Sequence, residues 1–212
     1  MVSGTQVVLP YIRLKPSAMK TEKEKMLAGE LYDALDPVLS EDRRRARRAM
    51  QAFNATVNDN DADREPALRK MIPHAGPDLW IEPPFYCDYG YNIKAGQRVF
   101  FNFNCVVLDV NLVEIGDRVL FGPAVQIYTA THPLDWQLRA AGQENGLPVK
   151  IGSDVWVGGG AIINPGVTIG DRAVIGSGSV VTKDIPSDVF AAGNPCRVIR
   201  QLAPGEARPP EA

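Results

Sequence analysis

Two histidines are the side chains in this sequence best suited to acid–base chemistry near neutral pH. His132 lies in the segment TATHPLD, and an imidazole is the usual general base for activating a hydroxyl. A surface histidine held in place before Pro133 is the alternative interpretation. His74 lies in IPHAGPD, a segment of low periodicity, and a structural role is favoured there. His132 is therefore the candidate base, and the surrounding chain must give it a rigid support.

A six-residue period predicts that support. From Ile151 to Ile185 the first position of each repeat is a branched aliphatic, the second is mostly glycine and the fifth is mostly small and apolar. The first positions are Ile151, Val157, Ile163, Ile169, Ile175 and Val181. A branched aliphatic suits a short strand that points inward, and glycine suits a corner with unusual backbone angles. Because one short repeat cannot bury its apolar face alone, the pattern predicts stacked turns of a parallel β-helix. The alternative is a sheet-rich α/β domain whose glycines fall in register by chance.

The same period continues upstream. Its first positions there are Ile115, Phe121 and Ile127. Positions 127 and 151 differ by a multiple of six, so residues 128–150 are predicted to form a loop pushed out of a continuous coil. A vaguer series extends the coil further, with a phase break before position 115, and consists of Ile93, Val99 and Cys105.

Composition disfavours several classes of function. The net charge is −2 at pH 7, so no nucleic-acid partner is expected. The arginine run at 43–48 falls on a predicted helix opposite Ala46, Met50 and Phe53, and is interpreted as a solvated face, with a polyanion site as the alternative. Three scattered cysteines without a Cys/His cluster predict neither disulfides nor a metal site. No signal peptide or long apolar run occurs, so a cytoplasmic location without a membrane partner is expected.

The predicted organisation has four parts. They are a flexible extension at 1–20, a helical segment and linker at 21–79, the coil with its loop at 80–188, and a cap and tail at 189–212. In the second part a capping box at Thr21 starts a helix that ends at Asp36. Ser40 starts a second helix that ends near Asn54 and packs against the coil. One helical turn is expected in the linker near Pro66.

The segment from Thr21 to Val198 resembles the maltose and galactoside O-acetyltransferases, a branch of the hexapeptide-repeat acyltransferases. The resemblance rests on EKEKMLAGELYDA, IEPPFYCDYGYNI, FNFNCVVLD, IYTATHP, VWVGGGAIINPGVTIGD and VVTKDIP followed by AAGNPCRVIR. It implies a mainly β fold: a left-handed parallel β-helix with an N-terminal helical hairpin and a short C-terminal cap. It also implies a homotrimer with active sites between subunits. The implied enzyme is acetyl-CoA-dependent, needs no metal, and uses His132 to activate a sugar hydroxyl for direct attack on the thioester.

The resemblance further implies roles for individual residues. A backbone N–H near Gly159 would stabilise the oxyanion. The matched positions for a sugar acceptor are Asn102, Asp109 and Arg43, with Asp33 and Glu144 as weaker candidates. Glu144 is also a candidate to orient His132. The matched positions for coenzyme A are Trp156, Gly159, Thr182, Lys183, Arg197 and Arg200. The alternatives are a corner residue for Asn102, a coil-capping turn for Asp109, a subunit contact for Trp156 and a solvated segment for the two arginines.

Three other functions use the same scaffold. A γ-type carbonic anhydrase needs three histidine ligands, and this chain has two histidines. An acetyltransferase for a non-sugar hydroxyl, a xenobiotic alcohol or serine, is an alternative that the AGELY segment disfavours. A catalytically dead trimeric assembly module is a further alternative, although the candidate base and the basic residues for coenzyme A are present.

Overall fold

The computed structural model describes residues 19–56 and 62–205. The helices in these ranges are α1 Glu22–Leu27, α2 Pro37–Asn54, α3 Arg64–Met71 and α4 Trp136–Ala140. The strands are β1 Tyr32–Asp33, β2 His74–Ala75, β3 Trp80–Ile81, β4 Tyr86–Cys87, β5 Ile93–Ala95, β6 Phe100–Phe101, β7 Val106–Leu108, β8 Val113–Ile115, β9 Leu120–Phe121, β10 Gln126–Tyr128, β11 Ala130–Thr131, β12 Gln143–Gly146, β13 Val149–Ile151, β14 Trp156–Val157, β15 Ile162–Ile163, β16 Thr168–Ile169, β17 Val174–Ile175, β18 Val180–Val181, β19 Val189–Ala192 and β20 Arg197–Gln201. Within the described ranges, each helix is too short or too polar to cross a membrane.

Three parallel sheets form the sides of a coil around one core. The first face contains β2, β5, β8, β13 and β16, the second contains β3, β6, β9, β14, β17 and β19, and the third contains β4, β7, β10, β15 and β18. The chain visits the faces in that order on every turn. Trp156 pairs with Val174, eighteen residues later, which corresponds to three six-residue repeats. The predicted parallel β-helix is confirmed, and the α/β alternative is wrong. The left hand of the coil stays a prediction from the family resemblance.

The core fills the interior of the coil. Residues in the first and fifth positions of the repeat point inward, and Val157 and Ala161 are both fully buried there. Aromatic rings fill the wider turns upstream, where Phe101 stacks on Phe121 with ring centroids 4.3 Å apart. Since each turn buries only a few side chains, it is stable only when another turn packs on it.

The upstream column of inward residues differs from the prediction. The sequence predicts Ile93, Val99 and Cys105 in the first position of these repeats. In the structure Ala95, Phe101 and Val107 take that position and pair with Ile115, Phe121 and Ile127. The predicted assignment is therefore wrong by two residues, because Ile93, Val99 and Cys105 occupy the fifth position of the repeat. Both positions are apolar and buried, so hydrophobicity alone does not separate them. The coil also begins one strand before the predicted start, because β2 pairs with β5 and brings His74 into the coil.

Glycine at the second position is required by close packing between turns. A Cβ at Gly152 would lie 2.6 Å from the backbone nitrogen of Asp171 in the next turn. Positive φ occurs two residues further along the repeat, at 60° in Asp154 and 58° in Arg172. The corner glycines are thus in the predicted places, but the predicted reason, an unusual backbone angle at the second position, is wrong.

The first helix is shorter than predicted. The capping box is present, because the Thr21 hydroxyl accepts the N–H of Glu24 and the Glu24 carboxylate accepts the N–H of Thr21. The helix ends at Leu27 instead of reaching Asp36, and Gly29 follows with φ 73°. The left-handed conformation at Gly29 turns the chain away from the helix axis, and the chain then forms β1.

The second and third helices pack against the first turn of the coil. Asp36 caps α2, which begins three residues before the predicted start at Ser40. Met50 and Phe53 of α2 are buried in the same apolar cluster as the coil, as predicted. The expected single helical turn near Pro66 is instead the two-turn helix α3, which also packs on α2.

The C-terminal segment continues the second face. β20 pairs antiparallel with β19 at the end of that sheet. Cys196 is buried, as expected for a C-terminal cap that covers the end of the coil, whereas Val198 and Ile199 are exposed. Most of the predicted extension, residues 1–18, and the end of the predicted tail, residues 206–212, lie outside the described residues.

Candidate active site

Three successive turns of the coil carry insertions at the same corner, between the third and first faces. A regular repeat takes six residues from one inward first position to the next. The chain takes eight residues from Cys87 to Ala95, eight from Val107 to Ile115, and twenty-four from Ile127 to Ile151. We call this the interrupted corner; its insertions lie in residues 88–92, 109–112 and 129–148. The stacking of the coil places them side by side.

Asp109 supports the interrupted corner from inside. It is fully buried, and its Oδ1 accepts the N–H groups of Asp88 at 3.0 Å and Tyr89 at 2.8 Å. Its Oδ2 accepts the N–H of Asn92 at 3.2 Å. Burial raises the pKa of Asp109 to about 7, although these N–H groups favour the ionised form. The carboxylate is enclosed by backbone N–H groups, so its burial does not fit the predicted contact with an acceptor. It fits the alternative interpretation, a coil-capping turn.

The largest insertion forms an arm, residues 129–148, built from β11, α4 and β12. β12 pairs antiparallel with β11 on one side and with β1 on the other. The register places Tyr32 directly opposite Glu144. The pairing of β11 with β12, continued by one residue, places His132 opposite Glu144 as well. Side chains directly opposite each other share one face of a sheet, so Tyr32, Glu144 and His132 form a row across three strands.

His132 lies at the open end of this row. Its side chain is exposed, and its Nδ1 lies 3.5 Å from the carbonyl oxygen of Gln143. No described residue bonds its Nε2. An imidazole anchored near one nitrogen and open at the other has the arrangement that a general base requires.

Two half-buried carboxylates lie at this corner, Glu144 near His132 and Asp88 near Glu144. Burial and the charge of Glu144 raise the pKa of Asp88 to about 6, against the charges of Arg43 and Arg47. Burial also raises the pKa of Glu144, while the charges of His132 and Arg43 lower it. These two carboxylates and the cations around them form one electrostatic unit at the interrupted corner.

The hydroxyl of Tyr32 is buried within this unit. The residue is 1% exposed, and its hydroxyl has no hydrogen bond of regular geometry in the part of the chain that the structure describes. Burial raises the pKa of Tyr32 well above its ordinary value, and the nearby charge of Glu144 raises it further. The Glu144 carboxylate therefore lies close to the hydroxyl but outside regular hydrogen-bond geometry.

Arg43 differs from the rest of the arginine run. Its Nη1 donates to the Tyr89 hydroxyl at 2.7 Å, and its Nη2 donates to the Ala34 carbonyl at 2.5 Å and to Ser40 Oγ at 3.2 Å. The prediction of a solvated face is therefore wrong for Arg43. It is correct for the exposed Arg44, Arg45 and Arg48, which pair with Glu41 or Asp42.

Asp33 is exposed at the edge of the same small sheet. It follows Tyr32 in β1, and its Oδ1 accepts the N–H of Leu35 at 2.8 Å. β1 pairs with the arm, so the structure brings Asp33 to the same corner as Glu144 and His132.

Asn102 and Gly159 lie at a different corner, between the second and third faces. Asn102 follows β6, and its Oδ1 accepts the N–H of Phe103 at 2.7 Å. Gly159 follows β14 in a later turn. The full width of the third face separates this corner from the interrupted corner. Within one chain, therefore, neither residue is brought together with His132.

Trp156 belongs to an apolar row on the outside of the second face. It is 45% exposed and lies between Leu120 and Val174 in the strand register. The full row is Trp80, Phe100, Leu120, Trp156, Val174 and Phe190. An outer face with this many large apolar side chains is typical of a surface that contacts another protein or a ligand.

The other predicted coenzyme A residues lie at the C-terminal end of the coil. Thr182 and Lys183 are exposed and follow β18, two turns beyond the arm. Arg197 and Arg200 lie in β20, where the Arg197 guanidinium donates to the Cys196 carbonyl at 2.8 Å. The structure thus places these four residues at one end of the molecule, on two of its sides.

Comparison with known proteins agrees with this architecture. The maltose acetyltransferase hexapeptide capping motif matches residues 25–76, and the bacterial transferase hexapeptide model, with six repeats, matches residues 148–183. The crystal structure of a maltose O-acetyltransferase from Clostridium difficile 630 is 52% identical, with a TM-score of 0.85 over 87% of this chain and 98% of that one. A galactoside acetyltransferase in complex with coenzyme A is 40% identical, with a TM-score of 0.83 over 87% of this chain and 92% of that one. The chain belongs to the maltose and galactoside O-acetyltransferase family.

The chain is also similar to a protein with a different kind of name. Nodulation protein L of Rhizobium meliloti strain 1021 is 52% identical over 179 residues, which cover 84% of this chain and 98% of that protein. The predicted family and fold class are confirmed, as is the prediction of an O-acetyltransferase that uses acetyl-CoA.

Sequence reasoning missed two residues of the site. Asp88 follows the inward residue Cys87 directly, and the eight-residue step from Cys87 to Ala95 was a signal that could have found it. Tyr32 has no comparable signal, because its place depends on the pairing of β1 with β12 more than a hundred residues away.

Proposed function

We propose that this enzyme transfers the acetyl group of acetyl-CoA to a hydroxyl of a maltose- or galactoside-type sugar, with His132 as the general base. The observation that carries the proposal is the row of Tyr32, Glu144 and His132 at the interrupted corner. It leaves one nitrogen of an exposed imidazole open at a corner that also carries carboxylates and the guanidinium of Arg43. Such groups bind the hydroxyls of a sugar and orient one of them for reaction.

The proposed reaction is direct transfer. The imidazole takes the proton of the acceptor hydroxyl while its oxygen attacks the thioester carbonyl carbon. The tetrahedral oxyanion that forms then collapses, the carbon–sulfur bond breaks, and the thiolate leaves. The imidazolium returns the proton to the thiolate. Each of the three buried cysteines is held in the core, which favours direct transfer over an acyl-cysteine intermediate.

The oxyanion requires a fixed hydrogen-bond donor, for which we propose the backbone N–H of Gly159. The neighbouring N–H groups of Gly158 and Gly160 donate to the carbonyls of Ile175 and Pro123, both at 2.8 Å. The N–H of Gly159 has no acceptor among the described residues, so a substrate oxygen could accept it.

The proposed site is shared between two subunits. His132, Glu144, Asp33 and Asp88 belong to the interrupted corner, while Asn102 and Gly159 belong to another corner of the same chain. If both groups serve one reaction, the second corner comes from a neighbouring copy. The apolar row along the second face offers a surface for that contact. We therefore infer a homotrimer with the site at each contact, as the family resemblance implies.

For acetyl-CoA we propose that Trp156 lies along the pantetheine arm and that Thr182, Lys183, Arg197 and Arg200 bind the nucleotide phosphates. The exposed Lys183 and Arg197 and the half-buried Arg200, at one end of the coil, support this assignment, since phosphate oxygens bind Lys and Arg through charge-assisted hydrogen bonds. A cytoplasmic location stays a prediction from the sequence.

The test is release of free thiol from acetyl-CoA over a panel of sugars, with wild type and His132→Ala. We expect sugar-dependent release that falls by about 10²–10⁴-fold in the variant, because a positioned general base contributes that much. His74→Ala is the matched control, since it removes the other histidine, which lies on the first face. Release with a xenobiotic alcohol or serine but with no sugar would contradict the sugar assignment. Equal rates in wild type and His132→Ala would contradict the base.

A further inference from the structure

We infer that Tyr32 is a positioning residue whose hydroxyl holds the carboxylate of Glu144 toward His132. The inference rests on the proposed role of His132 as base. It goes beyond that role by naming the group that fixes the orienting carboxylate. The geometry that carries it is the three-stranded sheet of β1, β12 and β11.

The first step is register. Tyr32 and Glu144 are directly opposite each other in an antiparallel pair, and His132 continues the row on the far side of β12. In such a row the central side chain contacts the side chains on both sides. Glu144 is therefore the only member of the row that can contact both Tyr32 and His132.

The second step is the state of the Tyr32 hydroxyl. The ring is packed in an apolar cluster with Met26, Leu39, Tyr89 and Val110, yet the hydroxyl is buried without a regular hydrogen bond among the described residues. An unsatisfied buried hydroxyl disfavours folding, so phenylalanine would suit this cluster better on stability alone. Glu144 is the polar group beside the hydroxyl, since contact with Tyr32 lowers the pKa of Glu144 as a weak hydrogen bond would.

The third step is the effect on Glu144. A carboxylate that accepts a hydrogen bond from a hydroxyl keeps its charge and one orientation. Burial keeps the pKa of Glu144 raised overall, while the charge of His132, the Tyr32 hydroxyl and the charge of Arg43 each lower it and so oppose the effect of burial. A charged, oriented carboxylate beside His132 then stabilises the imidazolium that forms when the base takes the proton.

The experiment uses Tyr32→Phe in the full-length protein, with Tyr91→Phe as the matched control. Tyr91 packs against the same cluster, but its hydroxyl donates to Asp42 at 3.0 Å, away from Glu144. We expect Tyr32→Phe to lower kcat by about tenfold without a change in KM, a fraction of the contribution of the base itself. We expect Tyr91→Phe to leave kcat unchanged. The melting temperature of Tyr32→Phe should change little, because the substitution removes the cost of burying the hydroxyl together with its weak bond to Glu144.

Two further readouts separate a positioning role from a structural one. In a double-mutant cycle, Tyr32→Phe should have no additional effect on kcat in the Glu144→Gln background. Equal losses in both backgrounds would overturn the inference. The second readout is carbon-13 NMR of the Glu144 carboxyl, which needs no turnover. Its pKa should rise in Tyr32→Phe and stay in place in Tyr91→Phe. An unchanged Glu144 pKa in Tyr32→Phe would overturn the inference even if the enzyme transfers acetyl groups. A raised Glu144 pKa would support the inference even if the proposed acceptor is wrong.

Discussion

Replacement of Asp109 tests how the interrupted corner is held together. The carboxylate accepts three backbone N–H groups, from Asp88, Tyr89 and Asn92. Asp109→Ala leaves all three buried donors without an acceptor. Since each unsatisfied buried group costs about 1–3 kcal/mol, we expect a loss of roughly 3–5 kcal/mol of unfolding free energy.

Asp109→Asn is the finer perturbation. Its amide oxygen can keep the two bonds that Oδ1 makes, while its NH₂ group faces the N–H of Asn92 and loses one bond. We therefore expect a loss of about 1–3 kcal/mol at acidic pH. The variant also cannot ionise, which changes its dependence on pH.

The sign of that dependence follows from linkage. The pKa of Asp109 in the folded protein, about 7, lies above the ordinary value of 3.8, so the folded state binds the proton more tightly than the unfolded state does. The stability from this group is fully present below pH 3.8 and is lost as pH rises through about 7. Between those values wild type should lose stability that Asp109→Asn does not lose. The difference between the two proteins should therefore shrink as pH rises.

The assay is urea unfolding of both proteins at a series of pH values from 4 to 8, at one fixed protein concentration because oligomers unfold in a concentration-dependent way. Tryptophan fluorescence reports the coil through Trp80 and Trp156 and the arm through Trp136, and an activity measurement in parallel reports the site. Parallel stability curves for wild type and Asp109→Asn would refute the claim that Asp109 titrates in this range. An Asp109→Ala variant with the unfolding free energy of wild type would refute the claim that this carboxylate holds the two insertions together.

Two further predictions concern packing between turns and sharing between subunits. Gly152→Ala should lower the unfolding free energy by roughly 3 kcal/mol, because a Cβ there meets the Asp171 backbone. Gly178→Ala, where φ is 70° and the space is open, should lower it by about 1 kcal/mol. Equal losses of the two variants in thermal unfolding would contradict the packing argument. If each site takes His132 from one subunit and Asn102 from its neighbour, trimers refolded from equal amounts of inactive His132→Ala and Asn102→Ala should contain about one intact site in four. An inactive mixture would place both residues in one subunit's site.

The coil could be predicted from the sequence because its signal is local and repeated. Every six-residue step places one branched side chain inward, so the period at 151–185 specifies both strand and corner without long-range information. The upstream column was misassigned because Val99 and Phe101 are both apolar and both buried. The end of α1 was misplaced because Leu31 and Leu35 continue a helical spacing that the turn at Gly29 interrupts.

The site was predictable only in part, for a physical reason. His132 and Glu144 were found because they lie in the loop that breaks the period. Their relation to Tyr32 depends on an antiparallel pairing between distant segments, which no local pattern encodes. Burial also decides between roles that the sequence leaves open. Asp109 and Asp33 are the same residue type, but the first is enclosed by backbone donors and the second is exposed at the edge of β1.

The insertions explain why a regular coil can carry an active site. A hexapeptide repeat uses most of its backbone groups between turns and its apolar side chains in the core, so a regular corner has little freedom to shape a cleft. Two extra residues in each of the segments 88–92 and 109–112 shift the six-residue phase of the sequence, but the strands on either side still stack in register. The buried Asp109 then ties one insertion to the other, and Asn111 donates to the Gly146 carbonyl of the arm at 3.0 Å. Because the arm pairs with β1, the N-terminal segment completes the same sheet. The site residues of this corner thus come from additions to the repeat. The stacked repeats fix the position of each added element along the coil axis.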